Sequence, residues 1–144
     1  MNQKTAITGI KAAAAVTIGF GALIALGASP ATSGPVGYLL DVIYFPVDGA
    51  QSTASDAARL VSAVCGGVLA GWGALLWLLA GRLAPREPAL AKDLILASLA
   101  IWFVVDSAAS IAAGAMLNVA GNFIFAAMFG IPALQLDGAR RATA

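Results

Sequence analysis

The stretch LVSAVCGGVLAGWGALLWLLAG, residues 60–81, contains no charged side chain, and its only hydroxyl is Ser62. A helix crosses the hydrocarbon core of a bilayer with about 20 apolar residues, so this run reads as a membrane span. Arg59 and Arg82 bracket it. Three further runs of similar character lie on either side: residues 12–28, residues 94–114 with Asp106 as the one interruption, and residues 117–136. Four such spans leave no room for an extramembrane domain with its own core. The expected fold is all-α, an integral membrane four-helix bundle forming a single domain over residues 1–144.

The composition agrees with that reading. The chain is 60% hydrophobic and 10% charged, with a mean hydropathy of +0.90, where a soluble chain carries about a quarter charged residues. Its net charge of +1 gives no basic excess for displacing counterions from nucleic-acid phosphate. It has no histidine and one cysteine, Cys65. Imidazole ligation, an internal disulfide and a thiolate metal cluster are therefore excluded.

The basic residues set the expected orientation. Lys4 and Lys11 precede the most hydrophobic part of the first run, Arg82, Arg86 and Lys92 fall between the second and third, and Arg140 and Arg141 follow the fourth. Arg59 stands on the opposite side with Asp41, Asp48 and Asp56. Positive loops stay cytoplasmic, which predicts a multi-pass membrane protein with both termini inside. A competing reading takes the first run and Ser29-Pro30-Ala31 as a secretory signal with its cleavage site. The run is long for that purpose, and retention as a helix is the expectation.

Between the first two spans, Pro30 and Pro35 stop a helix. Val36, Leu39, Leu40, Ile43, Tyr44 and Val47 then recur at helical spacing, with Asp41 and Asp48 expected to face elsewhere. Residues 36–47 are too few to span and read as a short amphipathic interfacial segment, apolar side down, with Tyr38 and Tyr44 at headgroup level. Pro46 should end it, and residues 51–56 offer N-cap chemistry for the second span. Pro85 and Pro88 make residues 82–93 a stiff turn, and Pro132 should bend or end the last span.

Helices in lipid associate where small residues let backbones approach. The first span offers Ala13, Thr17, Gly21 and Ala25, and the fourth offers Asn118, Asn122, Ala126 and Gly130. The second offers Ala63, Gly67 and Gly71, of which Gly67 and Gly71 make a GxxxG match. Packing among the chain's own helices is the expected use of these stripes, with docking to another subunit as the alternative.

Asp106 is the chain's one ionisable residue inside a span, and such residues are costly there and mark functional sites by default. Ser110 lies one turn away on the same face. The short Gly114-Ala115-Met116 junction brings the fourth span alongside, and at roughly 1.5 Å per residue Asp106 lies about 12 Å and Asn122 about 7 Å below the outer surface. Asp106, Ser110 and Asn122 are thus expected to form one polar cluster, either as a neutral acid hydrogen-bonded to amide or hydroxyl, or as an anion paired with Arg59. A structural pin between helices is the expected role. A proton or cation relay needs polar groups through the full thickness, and the inner half offers only scattered candidates such as Thr17 and Ser98. Trp72 and Trp102 lie deep enough to meet a quinone, pigment or lipid tail, although packing between helices also accounts for them. Cys65, beside Gly66 and Gly67, reads as an inert small residue.

Enzyme classes fall away in turn. Glu87 is the only glutamate, no buried carboxylate pair stands ready, serines have no histidine base, and no phosphate-binding glycine loop occurs. No cofactor is expected. The run Gly71-Trp72-Gly73-Ala74-Leu75-Leu76-Trp77-Leu78-Leu79-Ala80, followed by Arg82-Leu83-Ala84-Pro85-Arg86-Glu87-Pro88 and later by Trp102-Phe103-Val104-Val105-Asp106-Ser107, resembles a group of small uncharacterised four-span proteins of alphaproteobacteria. Some of these carry an excinuclease-subunit label, to which this sequence lends nothing: it has no ATP-binding loop and no cysteine pair for zinc. The resemblance implies the four-span architecture and no activity. The expected function is a non-catalytic membrane protein whose partners are the bilayer and other membrane subunits or further copies of itself, for example as an accessory subunit of a respiratory or photosynthetic assembly. A transporter or channel subunit working through Asp106, or a lipid or quinone binder, is the alternative.

Overall fold

The computed structural model describes residues 2–136; Arg140 and Arg141 lie outside the described residues. The order is α1 (Gln3–Ala25) with a 3-10 turn at Leu26–Ala28, α2 (Gly34–Tyr44), α3 (Asp56–Leu78) with a π-helical turn at Leu79–Leu83, α4 (Pro88–Ala112) and α5 (Met116–Leu134). All described secondary structure is helical. Four helices, counting the turns that extend α1 and α3, are long and apolar enough to cross a membrane. The protein is a multi-pass helical bundle.

The helices begin earlier than hydropathy alone places them, because capping sets their starts. Asn2 accepts a hydrogen bond from the Thr5 backbone N–H, so α1 includes Lys4 and Lys11. Ser55 does the same for Ala58 at the start of α3. Pro88 sits in the first turn of α4, where its missing N–H costs nothing, and the connection before it shrinks to residues 84–87. Pro132 lies inside α5 near its end and is buried. Gly114, with φ 76°, ends α4: Gly114 N–H donates to Ile111 and Ala115 N–H to Ser110, the paired bonds of a left-handed helix stop. That tight stop returns the chain directly into α5.

In space α1 packs on α3, α4 on α5, and α1 on α5 joins the two pairs. The start of α1, the α3–α4 connection and the end of α5 lie at one end of the bundle, the terminal side. The α4–α5 turn and α2 lie at the other, the α2 side. On the terminal side Ile10, Leu76, Ile95, Phe129 and Leu136 are fully buried in one apolar core. Gln3 Nε2 donates to the Ala84 carbonyl at 2.8 Å, and Lys11 Nζ lies 5.3 Å from the centre of the Trp77 ring, tying α1 to α3 and its connection there. Toward the α2 side the α1–α3 seam is made by backbone. A Cβ on Gly66 would stand 2.5 Å from Ala25 N, and one on Gly21 2.5 Å from Ala70 N. Ala13 and Thr17 are buried along the same side of α1.

Two expectations are corrected here. Gly67 and Gly71 do not form an internal seam: both are exposed, and a Cβ on either would meet nothing within 4 Å. The helix turns about 100° per residue, and it is Gly66 and Gly73 that face α1. Asp41, expected to face away, is 5% exposed and accepts from the Gly49 and Gln51 backbone N–H groups, both at 3.0 Å. One carboxylate thereby folds the chain after α2 back over it. The apolar side of α2 then turns onto the bundle itself.

Candidate functional site

The Schellman-type turn at Gly114 sets α4 and α5 antiparallel with their polar positions level. Asp106 stands six residues from the end of α4, about 9 Å at 1.5 Å per residue, and Asn122 six residues from the start of α5, the same depth. Asp106 Oδ1 accepts three hydrogen bonds: from Asn122 Nδ2 at 2.7 Å, Asn118 Nδ2 at 2.9 Å and Ser110 Oγ at 3.3 Å. Asn118 Nδ2 also donates to Ser110 Oγ at 2.9 Å, and Asn122 Nδ2 to Ser107 Oγ at 3.0 Å. Donors from a second helix give the carboxyl oxygen the partners that lipid cannot supply, and they fix the α4–α5 register.

Of the residues picked out in the sequence, Asp106, Ser110 and Asn122 stand together, and Asn118 and Ser107 join them. Asn118 is one helical turn from Asn122, so the same four-residue spacing pointed to it. Ser107 gave no such signal, because a residue next to Asp106 points about 100° away around the helix. It joins because α5 lies between the two directions. Arg59 does not join. Its Nη2 donates to the Ala54 carbonyl at 2.6 Å and its Nη1 lies 3.4 Å from Asp56. The first turn of α3 and the residues before it capture the guanidinium before it can reach across the bundle. Gly130 faces Leu99 at ordinary contact distance, and Ala126 is half-buried on the same helix.

The polar cluster forms one end of a cavity of about 870 Å³. Val64, Val68 and Leu69 of α3, Ile101 and Trp102 of α4, and Phe125 of α5 line it, with Leu39, Val42 and Ile43 of α2 closing over it. Asp106, Asn118 and Asn122 are polar residues of its lining, together with Ser98. Toward the terminal side it stops at a chain of rings: Phe20 against Phe125 at 5.8 Å, Phe125 against Trp102 at 5.9 Å, Trp102 against Trp72 at 5.6 Å and Trp72 against Phe129 at 5.8 Å. Between α3 and α4 the cavity is open at the side, where Val64, Val68 and Ile101 are more than half exposed. Its size is that of a drug-sized ligand site. Cys65 is exposed and lines the same cavity.

Thr17 Oγ1 donates to the Ala13 carbonyl, and Ser98 Oγ, which also lines the cavity, donates to the Ile95 carbonyl, so both hydroxyls are satisfied by their own helices. No group of three or more His, Cys, Asp or Glu positioned for a metal occurs among the described residues. Fold and site together define a class: a multi-pass helical membrane protein with a side-opening cavity and a polar cluster at one end of it. Comparison with known protein families, with curated proteins and with solved structures returned no match to the chain.

Proposed function

We propose that this protein is a non-catalytic membrane protein that holds a small amphiphile in the cavity between α3, α4 and α5. The observation that carries the reading is the pairing of a large apolar space with a single hydrogen-bonded polar end, Asp106, Asn118 and Asn122. Sites for small molecules have this form: mostly apolar walls and a few placed polar groups that fix orientation. Trp72 and Trp102 provide the test. Amphiphiles with brominated chains should quench their fluorescence saturably in a Trp77→Phe background. Gly121→Leu should abolish that quenching, since a Cβ at Gly121 meets nothing within 4 Å and the residue lines the cavity. Quenching that rises without saturation and ignores Gly121→Leu would sink the reading.

A second role, compatible with the first, is docking to other membrane subunits or to further copies of the chain, as in an accessory subunit of a larger assembly. The outward face of α3 favours it, where Ala63, Gly67 and Gly71 leave a small-residue stripe that no helix of the chain covers. Purification in mild detergent tests this: a partner or oligomer should co-migrate with the chain, and Gly67→Leu should release it. We also propose that the chain lies in the inner membrane of a bacterium, with both termini cytoplasmic as the positive-inside rule favours. Lys4, Lys11, Arg82, Arg86 and Lys92 gather on the terminal side, and reporter fusions at each end would check it.

A further inference from the structure

The polar end of the cavity has acceptors to spare and few donors. Asn118 and Asn122 carry four amide hydrogens between them, and all four are engaged, two on Asp106 Oδ1, one on Ser110 Oγ and one on Ser107 Oγ. The Ser110 hydroxyl gives its hydrogen to Asp106 Oδ1 as well. Three oxygens are left over: Asp106 Oδ2 and the side-chain carbonyl oxygens of Asn118 and Asn122 receive no hydrogen bond among the described residues. Among the described residues no lysine or arginine lines the cavity, and Arg59, at the α2-side start of α3, is turned to Asp56 and Ala54.

Such an end selects by what it lacks. A carboxylate, a phosphate or a quinone carbonyl brings only acceptors, and would face these three oxygens without a hydrogen between them. A protonated amine brings donors and positive charge, and a group ionised in this way makes the stronger, charge-assisted hydrogen bonds. We infer that the occupant is a hydrophobic amine: an apolar chain or ring body lying against α3 and the tryptophans, with an ammonium head donating to Asp106 Oδ2. The side opening between α3 and α4 admits it from the bilayer. This inference rests on the cavity being a binding site and adds the chemistry of its ligand.

The experiment uses the full chain, carrying Trp77→Phe, in phosphatidylcholine nanodiscs and three probes with the same dibrominated alkyl chain ending in a primary amine, an alcohol or a carboxylate. The amine should quench Trp72 and Trp102 at concentrations about tenfold or more below the other two. Asp106→Asn should erase that preference. Equal quenching curves for all three probes, with Gly121→Leu still abolishing them, would overturn the amine assignment and leave the cavity a binding site. Unsaturable curves that ignore Gly121→Leu would remove both. Cys65 supplies a second measurement on the chain with its native polar cluster, independent of how Asp106→Asn folds. The amine probe should slow its alkylation by a membrane-permeant maleimide more than the carboxylate does, and equal slowing overturns the assignment. The amine of a lipid headgroup and a free amine are separated by one more arm. Stronger quenching by brominated phosphatidylethanolamine than by brominated phosphatidylcholine supports the inference with a lipid as the source. Equal quenching by the two lipids, with the alkylamine still preferred, supports it with a free amine.

Discussion

The two ends of this bundle are built on opposite terms. On the terminal side Ile10, Leu76, Ile95 and Phe129 fill the space between four helices with large apolar side chains. On the α2 side many of the buried residues are small or polar, among them Gly21, Gly66, Ser107, Ser110 and Asn122, and the space between α3 and α4 stays open. In lipid an apolar side chain gains little by moving from bilayer to protein, so close packing is what holds helices together. The terminal side supplies it with large interlocking side chains, and the α1–α3 seam supplies it with touching backbones. Neither device operates between α3 and α4 above the Trp72–Trp102 contact, and a cavity survives there.

Substitutions can break or sharpen that contrast, and the largest effect belongs to the α1–α3 seam. Gly66→Leu puts a branched side chain where a single Cβ would already lie 2.5 Å from the Ala25 backbone. Overpacking against backbone that cannot move should cost more than about 3 kcal/mol. The folded protein should be lost in a thermal or denaturant unfolding assay. Phe129→Ala empties the middle of the terminal core and should cost about 3 kcal/mol, read as a lowered unfolding midpoint. A loss as small as that from a cavity-side substitution would mean that the core does not hold the bundle.

Asn122→Leu comes next. It removes the hydrogen bonds to Asp106 and Ser107 while two donors to Asp106 remain. Interhelical hydrogen bonds in membranes average about 0.6 kcal/mol and reach about 1.7, so a loss of about 1 kcal/mol is expected. The smallest effects belong to the open surfaces. Gly121→Leu and Gly67→Leu should each change the unfolding midpoint of the isolated chain by less than about 0.5 kcal/mol, as surface positions do. The first should nevertheless abolish amphiphile binding and the second weaken subunit association. A large destabilisation from either would show that the space beside it is not open in the protein.

The local rules of sequence reach some of these features and miss others for identifiable reasons. Asp106, Ser110 and Asn122 were legible because residues four apart share a helix face, and a three-residue junction forces two helices to be neighbours. Asn118 obeys the same spacing and was visible only as part of a small-residue stripe. Arg59 failed because reach in a sequence is judged by helix depth, whereas a long side chain first meets the partners of its own helix start. The α3 seam failed by one residue. Gly66 and Gly67 are equivalent as letters, and only the rotation of α3 against α1 decides which touches and which faces lipid. The role of Asp41 was equally hidden, since its acceptors' partners are backbone N–H groups eight and ten residues further on.

By itself the sequence determined the solvent and the spans: uncharged runs of about 20 residues have no stable place but a bilayer-spanning helix. It also determined that Asp106, an acid set among apolar residues within a span, would need partners. The tertiary structure alone decided that α3 and α4 stand apart above their tryptophans, and so that a cavity exists with its polar end short of donors. Helix hydropathy is a sum over one segment and can be read from one segment. A cavity is the space left by several helices at once, fixed by their rotations and tilts, and no segment contains it.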